Sequence, residues 1–102
     1  MYQYLLEPKA QEEYEKSINW YTQRSEKATL NFIDEVEQII ELICNKPHVN
    51  KNIYKNYYEI TLEKYPFTIV YSIENEMKLI VITSIYHQKR NPKYKYRSKK
   101  TK

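Results

Sequence analysis

From Ser84 onward the chain reads Ser84-Ile85-Tyr86-His87-Gln88-Lys89-Arg90-Asn91-Pro92-Lys93-Tyr94-Lys95-Tyr96-Arg97, a stretch in which cations alternate with aromatic rings. Lysine and arginine neutralise phosphates, and tyrosine rings stack on bases or guanidinium planes. Lys89, Arg90, Lys93, Tyr94, Tyr96 and Arg97 are therefore candidate contacts to a macromolecular target. His87 adds a group able to exchange protons near neutral pH. Metal-free RNA cleavage needs a base for the 2′-hydroxyl, an acid for the leaving oxygen and cations for the crowded phosphate, and this segment holds residue types for all three. The competing reading is structural: Tyr86 and Tyr94 pack, Arg90 and Lys93 are solvated, and a histidine at a strand end is held by its neighbours.

Charge is distributed unevenly around this segment. Residues 1–86 hold nine Lys/Arg against thirteen Asp/Glu, whereas residues 87–102 hold eight Lys/Arg and no acid, so the net charge of +4 is a property of the C-terminal end. Such a block favours polyanions or an acidic protein surface through an attraction that salt weakens. Ser98 to Lys102 reads equally well as a solvated, frayed terminus.

Other chemistries find little support. Cys44 is the sole cysteine and lies in an apolar run, so it reads as a small buried hydrophobe, and its spacing from His48 and His87 fits no zinc motif. The chain contains no glycine, which removes the glycine-rich phosphate loops. We expect no metal, no cofactor, no small-molecule substrate and no membrane partner. The N-terminal residues carry no signal-like or spanning run, and a cytoplasmic location is expected.

The elements that must position the basic segment follow from periodicity. Tyr2 to Leu6 suits a short strand. Pro8 starts a helix in which Ala10, Tyr14, Ile18 and Tyr21 form the buried stripe, with Trp20 beside it, extending to about Arg24. Ser25 caps a second helix with Ala28, Phe32, Val36, Ile39, Ile40 and Ile43 facing inward, stopped at Pro47. With so short a link the two form an antiparallel hairpin. Period two then takes over: Tyr58, Ile60 and Leu62 alternate with Tyr57, Glu59 and Thr61. Phe67, Ile69, Tyr71 and Ile73 alternate with Thr68, Val70 and Ser72. The run from Leu79 to Tyr86 is apolar on both faces around Ile80 to Ile82, as in a strand flanked by others. Without glycine, turns that need positive φ are expected to use Asn45, Asn52, Asn75 or Asn91. The reading is one α+β domain over residues 1–97, a strand and a helical hairpin packed on a twisted, mainly antiparallel C-terminal sheet, with 98–102 as a basic tail.

Trp20-Tyr21, Phe32-Ile33-Asp34-Glu35-Val36, Pro47, Leu62 to Tyr71 and Ile85 to Pro92, in that order and spacing, resemble the RelE/ParE toxin superfamily, and most of all its ParE-like, plasmid-stabilisation branch. The resemblance implies the same α+β fold and the toxin half of a type II toxin–antitoxin pair, neutralised by a cognate antitoxin that docks a helix or extended segment on the helical hairpin. It implies DNA gyrase as the leading target, without catalysis. The alternative is RelE-like cleavage of messenger RNA on the ribosome, with His87 and Tyr94 moving protons and Arg90 meeting the phosphate; a non-toxic binding module is the third reading. RelE-type nucleases place arginines where this chain has Thr68 and Gln88, so two phosphate-stabilising charges are missing. Many ParE-like chains carry an arginine where this one has Tyr58. Thr68 and Gln88 favour recognition over catalysis, whereas Tyr58 departs from the ParE-like pattern itself.

Overall fold

The computed structural model describes residues 1–89. In order they form β1 (Gln3–Leu6), α1 (Pro8–Thr22), α2 (Glu26–Asn45), a 3-10 turn (Pro47–Val49), β2 (Lys51–Tyr54), β3 (Tyr57–Thr61), β4 (Phe67–Glu74) and β5 (Leu79–His87). The sheet order is β1-β5-β4-β3-β2. β1 runs parallel to β5, and every other pairing is antiparallel. The expected strand, helical hairpin and mainly antiparallel sheet are all present.

Local chemistry explains the helix boundaries. Ser25 has extended backbone and its Oγ accepts from the Ala28 N–H at 3.1 Å, satisfying one of the first-turn donors of α2. α1 ends at Thr22 rather than Arg24, because the N–H groups of Arg24 and Ser25 both fold back onto the Tyr21 carbonyl and turn the chain. The Arg24 guanidinium lies 3.8 Å from the Trp20 ring centre and closes over it.

The core fills the space between the hairpin and one sheet face. Phe32 is fully buried at its centre, with Phe67 4.8 Å, Tyr21 5.1 Å, Tyr65 5.5 Å and Tyr14 5.9 Å away between ring centres. Directly paired residues share a sheet face. Ile60 with Ile69, Ile69 with Ile85, Tyr71 with Ile82, and Ile73 with Ile80 therefore build the wall facing the helices. Tyr71 is completely buried; its hydroxyl donates to the Pro47 carbonyl at 2.7 Å and accepts from Asn50. Tyr58 stacks on it, so the residue that replaces an expected arginine serves packing.

Three expectations need correction. β2 was not anticipated: only Ile53 of Lys51-Asn52-Ile53-Tyr54 is even half-buried, and the strand exists because β3 supplies its ladder. Leu62 falls just beyond β3, though it is buried as expected. Among the described residues the positive φ values belong to Lys55 (48°) and Lys78 (53°), not to asparagines. The Asn52 amide instead donates to the carbonyls of Lys55 and Tyr57, and Asn75 accepts from the Tyr2 hydroxyl, so both are committed to bracing turns. The left-handed backbone then falls on lysine at a steric cost of roughly 1–2 kcal/mol per residue. Asn91 lies outside the described residues.

Candidate target-binding edge

β5 ends at His87, and the last described residues show how that end is fixed. The Gln88 N–H donates to the Pro66 carbonyl at 2.8 Å, tying it to the β3–β4 loop. That loop is itself anchored on α2: the Glu35 carboxylate accepts from the N–H groups of Glu63 (2.7 Å) and Lys64, and the Tyr65 hydroxyl donates to the Ala28 carbonyl. The helical hairpin thus fixes the position of the residues that follow β5 as far as Gln88.

A second constraint comes from α1. β1 stops at Leu6, with the Glu7 N–H donating to the Ile82 carbonyl, so it cannot satisfy β5 further along. Glu13 takes over: one carboxylate oxygen accepts from the Ile85 N–H at 2.8 Å and from the Ser84 hydroxyl at 2.9 Å. A helix side chain thereby stands in for the missing neighbour strand. Close by, Val70 pairs with Ser84 and Tyr71 with Ile82, leaving Thr83 as the extra residue of a bulge whose hydroxyl donates to the Val70 carbonyl.

Gln88 and Thr68 come together on the sheet face that looks away from the helices. The Gln88 amide donates to the Thr68 hydroxyl at 3.2 Å and the Thr61 hydroxyl at 3.4 Å, and the two hydroxyls lie 3.1 Å apart. The two positions expected to hold arginines in an RNA-cutting relative are one neutral, mutually satisfied cluster. Thr68 is 2% exposed and Tyr86, its partner across the ladder, 4%. Glu59 on the same face is also buried, with the Lys51 ammonium 3.6 Å from one oxygen across the β2–β3 pair.

His87 belongs to the opposite face, paired with Phe67, whose ring it meets edge-on at 5.0 Å. Its Nδ1 accepts the Lys89 N–H at 3.1 Å, which assigns the ring proton of a neutral imidazole to Nε2. His87 is therefore a ring-packed residue at the end of β5, on the far side from the Thr61–Thr68–Gln88 cluster, and Lys89 is exposed beside it. Arg90, Lys93, Tyr94, Tyr96 and Arg97 lie outside the described residues, as does the suggested domain end at 97. Sequence reasoning missed Glu13 and Glu35, since neither differs by type or spacing from the acids around it.

Burial and charge bias the phenols and the thiol toward their neutral forms. Tyr14 is pushed up to about 12 by burial first, then by the carboxylate of Glu37 and by Tyr4. Burial raises Tyr71 and Cys44 as well, which makes the thiol a poor nucleophile. Among the described residues no group of three or more His, Cys, Asp or Glu side chains could hold a metal ion, and no helix is long and apolar enough to cross a membrane.

Comparison with known proteins places this geometry. A sequence profile described as "ParE toxin of type II toxin-antitoxin system, parDE" matches residues 4–92. No curated protein sequence matches. Among solved structures, the isolated Escherichia coli RelE toxin superposes with a TM-score of 0.67 at 16% identity, covering 100% of both chains. A chromosomal ParDE toxin–antitoxin system of Pseudomonas aeruginosa gives 0.69 at 15% identity over 85% of this chain and 96% of that one. The intact Escherichia coli RelBE toxin–antitoxin complex gives 0.63 at 16% identity over 83% and 94%. At these identities the structures speak for the fold, and the profile, which spans most of the sequence, speaks for the family: this chain belongs to the ParE toxin family of type II toxin–antitoxin systems.

Proposed function

We propose that the chain arrests growth by binding DNA gyrase without catalysis and that a cognate antitoxin neutralises it. The target surface is Lys89 with Arg90, Lys93, Tyr94, Tyr96 and Arg97, launched from the fixed end of β5. The neutral Thr61–Thr68–Gln88 cluster carries this reading. A nuclease stabilises developing phosphate charge with preorganised cations, and here the corresponding positions bond to each other. The ParE family profile supports the toxin role, and a RelE–antitoxin complex among the structural relatives supports a neutralising partner.

Expression without the antitoxin tests it. Growth arrest accompanied by a DNA-damage response is expected, with no new transcript ends inside codons and no loss of toxicity in His87→Ala. Cleavage within codons that disappears in His87→Ala would move the protein to the ribonuclease reading. Unimpeded growth with folded protein present would leave only a binding module.

A further inference from the structure

The outer sheet face is buried without a described layer on top of it. Thr68 pairs with Tyr86 across β4–β5, Glu59 pairs with Val70 across β3–β4, and Ser72 lies further along β4. Thr68, Tyr86, Glu59 and Ser72 are all buried. Both helices and the 3-10 turn pack on the opposite face, where Phe32 meets Phe67 and the Pro47 carbonyl meets the Tyr71 hydroxyl. Tyr86 lies outside the core cluster that the helices close. Its neighbours on the outer face are Thr68 across the ladder, Ser84 before it and Gln88 after it, each smaller than a tyrosine or itself exposed. A ring of that size loses its exposure only beneath further chain.

Length and charge point to the chain that covers it. Residues 90–102 follow the last described residue and hold seven Lys/Arg and no acid. The Gln88 amide rests on the Thr61 and Thr68 hydroxyls, so this continuation starts at the rim of the outer face. Neighbouring strands lie about 4.8 Å apart, which puts Glu59 on β3 about 10 Å from β5; the eight residues from Arg90 to Arg97 can span up to about 26 Å. Glu59 is a buried carboxylate whose ion pair with Lys51 is long, at 3.6 Å, and runs to a mostly exposed side chain. A carboxylate is stable in such a place only with close cationic and hydrogen-bonding partners. The sequence past Lys89 offers cations for Glu59 and, between them, Tyr94 and Tyr96 as rings to meet Tyr86.

We propose that residues 90–97 fold back across the outer face of their own sheet, a tyrosine against Tyr86 and a cation beside Glu59, so that the free toxin covers its own target surface. The inference rests on the reading of this segment as that surface, and adds its regulation. A charge pair at the rim of a sheet is weakened by salt and yields to a more acidic partner, so a target would release the segment by competing with Glu59.

The test begins with the free, full-length protein. Isotope-edited nuclear Overhauser spectra should connect the Tyr86 ring and the Thr68 methyl to side chains of residues 90–97 within one molecule. Trypsin should cut after Arg90, Lys93, Lys95 and Arg97 about 10-fold faster in Glu59→Gln than in the parent, and added salt should narrow that difference. Absence of the contacts, or equal cleavage of variant and parent, overturns the inference. Contacts that arise only between differently labelled molecules also overturn it, by making a second copy the cover. Intramolecular contacts in a protein that leaves gyrase supercoiling untouched would instead remove the target reading and leave the cover in place.

Discussion

The two faces of the sheet use the same strands for opposite purposes. Toward the helices, Phe67, Ile69, Tyr71, Ile73, Ile80, Ile82 and Ile85 are all 3% exposed or less, and rings from the helical hairpin interlock with them. Away from the helices, Thr68, Ser72 and Glu59 are nearly as buried, yet polar, and Thr61 and Gln88 join Thr68 in a hydrogen-bonded cluster. Burial therefore does not separate the two faces here; polarity does. One face holds the fold by apolar area and close packing. The other holds a polar surface in which Thr61, Thr68 and Gln88 bond to one another.

Substitutions on the two faces should separate accordingly. Phe32→Ala on the apolar side should have the largest effect, a loss of about 3–5 kcal/mol in denaturant unfolding, because Phe32 is the centre of the ring cluster and its cavity cannot refill. A smaller loss would mean that the rings around it repack. Glu13→Ala should cost about 1–3 kcal/mol, since it strands the Ile85 N–H and Ser84 hydroxyl at the sheet edge, and hydrogen exchange should show Ile85 opening first. Exchange at Ile85 matching the parent would contradict the role given to Glu13. On the outer face, Thr68→Val should cost about 1 kcal/mol and leave the aromatic circular dichroism of the core unaltered.

The smallest effect is with pH. Tyr14 has a raised folded value of about 12 against the ordinary 10.0, so the folded state keeps its proton longer than the unfolded chain. Its contribution to stability is complete below pH 10 and is lost as pH rises through about 12. Tyr14→Phe should flatten that part of the stability profile in alkaline unfolding measurements; an unchanged slope would show that other groups govern it.

Much of the helix-facing side was legible because periodicity reports burial directly: the α2 stripe from Phe32 to Ile43 and the alternation from Phe67 to Ile73 both reach the core. Ser25 announced its own cap. The outer face was less legible, since alternation assigns Glu59 and Thr68 to the right side of the strand but cannot tell a solvated side from a covered one. Lys51, four-residue strand β2 and the Gln88 turn bring their partners from elsewhere in the chain. Glu13 is one of three acids within four positions, and only the early end of β1 gives it a task. Lysine at positive φ was invisible for a similar reason: the asparagines that tolerate it better were needed as turn braces. Of the basic segment, the structure places His87 and Lys89, and it separates His87 from the outer cluster that the nuclease reading needs.

The most direct measurement is DNA supercoiling by purified gyrase in the presence of the folded toxin, with and without its antitoxin. The account predicts inhibition that rises with toxin concentration, weakens when Lys89 and Arg90 are both changed to Gln, and is relieved by stoichiometric antitoxin. Supercoiling that proceeds at the uninhibited rate, at toxin concentrations that arrest growth in cells, would contradict it.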